Sequence, residues 1–281
     1  MTQSVPTLRC RCGEGELVVA YTYHEPPPGE ILFGVSGPYY REYRACKTCG
    51  HYFSRHTMEL TDLYSGAYAD ATYGGPEGMR RAFDRIVALP PEKSDNTGRV
   101  ARVNEFASRR FKDRVSGRTL LDVGAGLGVF PYAMRNAGWE VTALDPDPRN
   151  EDHYREVIGV KPLISDFLGP PATDIGERFD VISFNKVLEH VPDPVSMLSR
   201  ATELCAPAGF IYIELPDVAA SVEGKNREEF LFGHDHVFSI SSTAILMERA
   251  GVLPAKVERL REPSGKFTIF AFGIPTVMRG A

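Results

Sequence analysis

The sequence predicts an α/β fold: a doubly wound, seven-stranded, mostly parallel sheet with an antiparallel last strand, preceded by a small β-rich N-terminal module. Three observations carry this. From about residue 99 onward, short runs rich in Val, Ile, Leu and Phe alternate with stretches of helical period. The first run ends in a glycine cluster, LLDVGAGLGVF at 120–130. The last two runs, near 253–260 and 266–273, are separated by REPSGK with no helix between them, which predicts an antiparallel hairpin at the end of the sheet.

The elements follow in order. VARVNEFASRRF (100–111) is a helix, TLLDV (119–123) a strand and VFPYAMRNAG (129–138) a helix. EVTALD (140–145) is a strand, a helix lies near 149–158, and KPLIS (161–165) and FDVISFN (179–185) are strands. The next helix, 194–206, has clear start signals: Asp193 as N-cap, Pro194 at the first helical position, and Leu198, Ala201 and Cys205 on one face. FIYIEL (210–215) is a strand and SSTAILMERAG (242–251) a helix. Upstream, MRRAFDRIVALP (79–90) places Met79, Phe83, Ile86 and Val87 on one face before Pro90 and Pro91 stop it. Residues 1–60 read as short β segments with too few apolar residues for a core of their own, 61–98 as a partly helical connector, and 99–281 as the main domain.

Composition narrows the function classes. With 43% hydrophobic and 25% charged residues over 281 positions, the chain is neither disordered nor membrane-like. No apolar run approaches the roughly 20 residues of a membrane span. The start, MTQSVPTLRCRCGEGE, lacks the basic and apolar segments of a secretory leader, so the expected location is the cytoplasm. A net charge of −5 argues against broad attraction to nucleic-acid backbones.

Five cysteines make an odd set for disulfides, and four of them (Cys10, Cys12, Cys46 and Cys49) crowd the first 50 residues. Cys46-x-x-Cys49-Gly50 is a knuckle in which two thiolates can grip one metal, and a second pair would complete tetrahedral zinc. The expectation is therefore a structural zinc on Cys10, Cys12, Cys46 and Cys49. Cys10-x-Cys12 is one residue short of the usual spacing, which leaves the fourth ligand open to His51 or His24. Reduced cysteines packed without metal are the alternative. Cys205, on the apolar side of its helix, reads as core.

The glycine cluster is spaced G-x-G-x-G (Gly124, Gly126, Gly128), not G-x-G-x-x-G, which disfavours a dinucleotide. Asp122 precedes it, and Asp145 ends the next strand, where a sheet-end carboxylate can accept both hydroxyls of a ribose. An ionised Asp122 would repel a pyrophosphate and welcome an ammonium. A glycine corner and an Asp-Pro turn can each be purely structural; in order, on the right elements, they point to a ligand.

LLDVGAGLGVF, ALDPDP, ISDF, FDVISFNKVLEHVPDP and AGFIYIELP in succession resemble the class I S-adenosylmethionine-dependent methyltransferases, over roughly residues 100–275. The resemblance implies a Rossmann-like sheet and S-adenosylmethionine as cofactor. It also implies that Gly124, Gly126 and Gly128 pack under the methionine and ribose, and that Asp145 holds the ribose hydroxyls. Asp166 and Phe167 would border the adenine, and Asn185 would lie near the methionine end.

Methyl transfer to a hydroxyl needs alignment and a base. Two places at strand ends carry candidates: Glu189 with His190, and His234 with His236 in GHDHVFSI. Related methyltransferases often carry a histidine at each place, so the resemblance does not single one out, and either can instead cap a helix or fill the core. The stretch 217–236 reads as a substrate lid or a solvated face.

A cysteine-rich module ahead of such a domain resembles two groups. One comprises sugar methyltransferases of nucleotide-sugar and polysaccharide pathways; the other comprises ribosomal RNA methyltransferases whose zinc module reads RNA. The acidic balance favours the first, with a small, sugar-containing acceptor and no nucleic-acid partner. The sugar C-methyltransferases have a large C-terminal domain that is not seen here, so oxygen or nitrogen methylation is better supported than carbon. A non-catalytic scaffold that keeps the fold is the remaining alternative.

Overall fold

The structure, a computed structural model, describes residues 15–32, 35–60, 75–112, 114, 116–169 and 175–276. Five short strands come first: β1 (Leu17–Tyr23), β2 (Val35–Ser36), β3 (Arg41–Cys46), β4 (Tyr52–His56) and β5 (Glu59–Leu60). Helices α1 (Pro76–Val87) and α2 (Asp95–Phe111) lead into β6 (Thr119–Val123), α3 (Val129–Asn136) and β7 (Glu140–Asp145). A short helix, α4 (Asn150–Asp152), continues as a wider turn over His153–Ile158 into β8 (Lys161–Ile164) and then β9 (Phe179–Asn185). The chain ends with α5 (Pro194–Leu204), β10 (Cys205–Pro216), β11 (His236–Val237), α6 (Ile240–Arg249), β12 (Val252–Arg261) and β13 (Phe267–Pro275).

The main sheet has seven strands in the order β12-β13-β10-β9-β6-β7-β8. Strands β8, β7, β6, β9 and β10 are parallel, and β13 runs antiparallel to both β10 and β12. Period-two alternation explains its two cores. Leu121, Ile182, Ile211 and Ile213 pack with Leu198 and Ala201 of α5 and Leu246 and Met247 of α6. Their neighbours Leu120, Val181, Phe210 and Tyr212 pack with Val103 and Ala107 of α2 and Phe130 and Met134 of α3. Covering both faces is what a mostly parallel sheet requires.

Caps set the helix starts. Asp193 accepts from the Ser196 N–H (3.1 Å) ahead of Pro194, as the sequence predicts. Ser94 accepts from the Thr97 N–H and starts α2 at Asp95, ahead of the expected residue 100. Ser239 and Ser242 form a reciprocal capping box that starts α6 at Ile240 rather than 242. Cys205 opens β10 instead of closing a helix, but is buried as expected. Met79 and Phe83 are buried, whereas Val87 is 38% exposed in the last turn of its helix. No helix among the described residues is long and apolar enough to cross a membrane.

The N-terminal strands build a second, four-stranded sheet in the order β1-β3-β4-β11, whose last strand comes from the segment after β10. Too few apolar residues for a private core has a direct consequence: Cys46, Cys49 and Phe53 bury themselves in the same cluster as Leu215, Phe238 and Leu246.

The expected N-terminal zinc module is corrected. Among the described residues, the one grouping of side chains suited to a cation is Glu189, His190 and His234, in the middle of the chain. Cys10 and Cys12 lie outside the described residues. Cys46 and Cys49 are buried around a turn in which the Gly50 N–H donates to the Cys46 carbonyl (2.9 Å). The substitute ligand His51 is engaged on both nitrogens, with Ser242 Oγ (3.1 Å) and His236 Nδ1 (3.0 Å). His24 lies against the Tyr40 ring. The resemblance to sugar-pathway enzymes rested on that module and falls with it.

Candidate functional site

The carboxyl ends of β6, β7 and β9 carry the first half of the site. Gly124, Gly126 and Gly128 all have left-handed backbone, with φ of 69°, 51° and 70°. Two of them are also sterically required: a Cβ on Gly124 would sit 2.7 Å from Val187 Cγ2, and one on Gly128 2.9 Å from Ile158 Cγ1. Gly126 has open space where a Cβ would stand, so the loop presents bare backbone there. The Gly124 and Ala125 N–H groups both donate to the Leu144 carbonyl (2.8 and 3.0 Å), which ties the loop to the end of β7.

Asp145 accepts the Gly126 N–H on Oδ2 and the Asp147 N–H on Oδ1, each at 3.0 Å. Burial holds its carboxyl above the usual range. Asn150 also hydrogen-bonds this carboxylate, which stands at the end of β7 beside the open glycine. Asp166, beyond β8, is exposed and accepts the Leu168 N–H (2.9 Å). Phe167 is buried, edge-on to Phe184 of β9.

Asp122 has a different setting from the one expected. It is 2% exposed, and its Oδ1 accepts from Ser183 Oγ (2.6 Å) and Asn185 Nδ2 (2.7 Å). Burial pushes its carboxyl up to about 7 against those two hydrogen bonds. Its effect on the site therefore runs through Asn185, whose Oδ1 is buried without a hydrogen-bond partner. The open cradle at Gly126, the sheet-end carboxylate of Asp145 and this orphaned oxygen fit a ligand that brings ribose hydroxyls and an ammonium group.

The second half follows β9. Glu189 and His190 share one short turn, and His234 approaches from the segment after β10. The ligating atoms of these three lie within 4.8 Å of one another. Glu189 is fully buried and neither carboxylate oxygen has a hydrogen-bond partner. Burial raises its carboxyl, countered by His190 and Lys186. His190 Nδ1 lies 2.7 Å from the Gly233 carbonyl and His234 Nδ1 2.9 Å from the Glu229 carbonyl. A carbonyl only accepts, so each Nδ1 carries the proton and each Nε2 the lone pair. The rings are 4.8 Å apart, and burial pushes the His234 imidazole down to about 3.

His236 stands apart from this group. It is fully buried, paired with His51 and packed against Phe53 and Phe238. Burial pushes it down to about 4. The stretch 217–236 forms two short turns, Val218–Glu223 and Glu228–Phe230, before β11.

Several supporting residues had no sequence signal. Tyr154 donates to the Gly126 carbonyl (2.8 Å) and His153 Nε2 lies 3.0 Å from the Leu127 carbonyl, so the turn after α4 braces the glycine loop. Lys186 adopts φ 61° and its Nζ donates to Thr268 Oγ1 (2.8 Å). Buried Glu214 receives Arg99 (2.6 Å) and Arg102 (2.8 Å), which hold it down to about 2 although burial alone would raise it. A spacing of i, i+4 would have revealed such pairs; these span about a hundred residues.

A family model described as a methyltransferase domain matches residues 93–252. Among curated relatives, the ubiquinone biosynthesis O-methyltransferase of Actinobacillus pleuropneumoniae serotype 7 is 36% identical over 163 residues, covering 55% of this chain and 64% of that one. The enzyme of the same name from Nitrosospira multiformis is 26% identical over 168 residues, covering 54% and 64%. The chain thus spans just under two thirds of the length of these relatives. Two solved structures share the fold. One is the Burkholderia thailandensis 1,6-didemethyltoxoflavin-N1-methyltransferase, with TM-score 0.53, 17% identity, and coverage of 80% of this chain and 96% of that one. The other is the CMeT domain of the citrinin polyketide synthase, with TM-score 0.56, 15% identity, and coverage of 74% and 59%. With a matching model over more than half its length, the chain belongs to the methyltransferase-domain family.

Proposed function

We propose that the protein methylates a hydroxyl of a small organic acceptor, with His190 as the base. The observation that carries this reading is the His190 Nδ1 contact to the Gly233 carbonyl, which leaves Nε2 as the proton-accepting nitrogen beside buried Glu189. The O-methyltransferase relatives support an oxygen acceptor.

Gly124, Gly126 and Gly128 would hold the cofactor's methionine and ribose, Asp145 its ribose hydroxyls, Asp166 and Phe167 the adenine surroundings, and Asn185 the methionine end. When bound, S-adenosylmethionine supplies a methyl group already activated on a sulfonium. The protein then has three tasks: to align the acceptor oxygen, to keep water out, and to take up one proton. In this reading His190 Nε2 would accept the acceptor's hydroxyl proton; the bound cofactor would give its methyl group to the acceptor oxygen and leave as S-adenosylhomocysteine. The resulting imidazolium is stabilised by the Gly233 carbonyl on Nδ1–H and by the Glu189 carboxylate. His234 packs against His190, and its position keeps the ring from turning. Fully buried His236 has a structural part, pinning β11 to β4. Residues 99–281 form the catalytic unit, 61–98 join it to the N-terminus, and the strands within 1–60 wall the acceptor side.

The test is transfer of labelled methyl to small hydroxylated compounds, with amines and free sugars alongside. Label in the hydroxylated compounds, lost in His190→Gln while S-adenosylhomocysteine still binds, supports the reading; an unimpaired His190→Gln enzyme refutes the base assignment.

A further inference from the structure

We propose that the buried ion pair between Arg41 of β3 and Glu30 of the connection after β1 is a positioning element for the His190 imidazole; this rests on the reading of His190 as the base. Arg41 is fully buried and the Glu30 side chain is 1% exposed, with Nη2 and Oε2 2.8 Å apart. Buried ion pairs seldom stabilise a fold better than apolar side chains of the same volume, so stability alone does not explain a charged pair here. What charges provide, and apolar groups do not, is backbone direction.

The pair holds one short stretch of the segment after β10 from both sides. Arg41 Nη1 donates to the Phe230 carbonyl (2.6 Å), and Glu30 Oε2 accepts the Phe232 N–H (2.9 Å). The Arg41 guanidinium lies over the Tyr23 ring at 4.2 Å and also takes Tyr39 OH as an acceptor (3.1 Å). The orientation of both peptides flanking Leu231 is therefore set by side chains nearly two hundred residues upstream.

The consequence reaches His190 directly. Gly233, with φ 96°, turns the chain immediately after Phe232, and its carbonyl is the one that meets His190 Nδ1. Tyr43 OH donates to the His234 carbonyl (2.8 Å), and the Ser54 N–H to the Asp235 carbonyl (2.9 Å). On the other side, the Asp235 N–H donates to the Glu189 carbonyl (2.7 Å). Residues 230–235 are thus clamped between the N-terminal strands and the Glu189–His190 turn, and the tautomer of His190 is decided by where that clamp puts one carbonyl.

The readout is the ring-nitrogen NMR spectrum of histidine-labelled protein with S-adenosylhomocysteine bound, the His190 signals being assigned by their loss in His190→Gln. Wild type should show the Nδ1–H tautomer. Arg41→Met should shift the signals toward the Nε2–H form, because the Gly233 carbonyl would no longer be held against Nδ1–H. Arg41→Lys should lie between the two. Methyl transfer should fall about tenfold in Arg41→Met at unchanged S-adenosylhomocysteine affinity, within the range that general-base geometry controls. Should Arg41→Met fail to fold, Tyr43→Phe, which removes the hydroxyl that reaches the His234 and Leu231 carbonyls, should move the same signals in the same direction. A wild-type tautomer in a folded Arg41→Met or Tyr43→Phe protein would overturn the positioning role. Full transfer by His190→Gln would instead overturn the reading beneath it, and the proposal with it.

Discussion

The glycine-loop half of the site and the histidine half are built over very different lengths of chain. Gly126 meets Asp145 across 19 residues and Tyr154 across 28. His190 meets Gly233 across 43, and the side chains that hold the 230–235 stretch reach it across 189 (Arg41) and 191 (Tyr43). The first half is made mainly of backbone and glycine conformation, with the Asp145 carboxylate and the buried Asp122–Asn185 contact, which spans 63 residues. The second is made of side chains from three separated segments. Loop closure costs grow only slowly with length, so both constructions are available to a fold. They break differently: the first by altering backbone, the second by loosening a clamp.

The largest expected effect falls on chemistry without binding. His190→Gln should lower the rate of methyl transfer by about 10² to 10⁴, the usual contribution of a general base, and leave S-adenosylhomocysteine affinity within about twofold. Calorimetry and single-turnover kinetics on one preparation separate the two. If affinity falls in parallel with rate, the two halves are one unit and the contrast is lost.

Backbone change in the first half should do the reverse. Gly124→Ala puts a Cβ 2.7 Å from Val187 at φ 69°. Left-handed strain and overpacking together cost about 2 to 5 kcal/mol, seen as a lower denaturation midpoint and loss of cofactor affinity. Asp145→Ala should reduce S-adenosylhomocysteine affinity by about 10- to 100-fold with a smaller change in stability, since charge-assisted hydrogen bonds contribute about 1.5 to 3 kcal/mol each. Unaltered affinity in Asp145→Ala would mean that the ribose assignment is wrong.

A subtler effect is read by pH. Burial pushes His236 down to about 4, below the ordinary histidine value of about 6.5. Between those values the unfolded chain binds a proton that the folded one does not, so this group's stabilisation is complete above about pH 6.5 and declines as pH falls toward 4. The opposite sign holds for Asp122, raised to about 7, whose contribution is lost as pH rises through that value. Denaturation of His236→Asn should show a pH slope reduced by up to one proton, about 1.4 kcal/mol per pH unit, relative to wild type in that window. An unchanged slope would show that His236 titrates freely. The smallest effect is a control: Lys161→Met removes an exposed pair with Glu177 and should change stability by less than about 1 kcal/mol, with no change in binding or transfer.

The same contrast explains what could be read from the chain beforehand. All seven strands of the main sheet and the closing hairpin were legible, because alternation and turn residues are local signals. So were the glycines, whose spacing is itself the motif. Asp122 stands beside the loop in the sequence, but its partners Ser183 and Asn185 sit on another strand, and strand pairing leaves no local trace. Glu189, His190 and His234 were identifiable as residue types, not as a cluster. His236, two positions from His234, points into a different environment because neighbours of that spacing on an extended segment still part company where β11 begins. The N-terminal cysteines show the converse error. A metal-like spacing was visible, yet the segment's real constraint, a shortage of apolar residues, sent its strands into the sheet with β11 and the common core. Arg41 and Glu30 carried no motif at all; only burial reveals them.

The most direct test measures both halves at once: S-adenosylhomocysteine binding and labelled-methyl transfer from S-adenosylmethionine to small hydroxylated compounds, for wild type and His190→Gln side by side. The predicted result is label in those compounds for wild type, and for His190→Gln equal binding with transfer at least about a hundredfold slower. Equal transfer by the two proteins, or label appearing only in RNA, would contradict it.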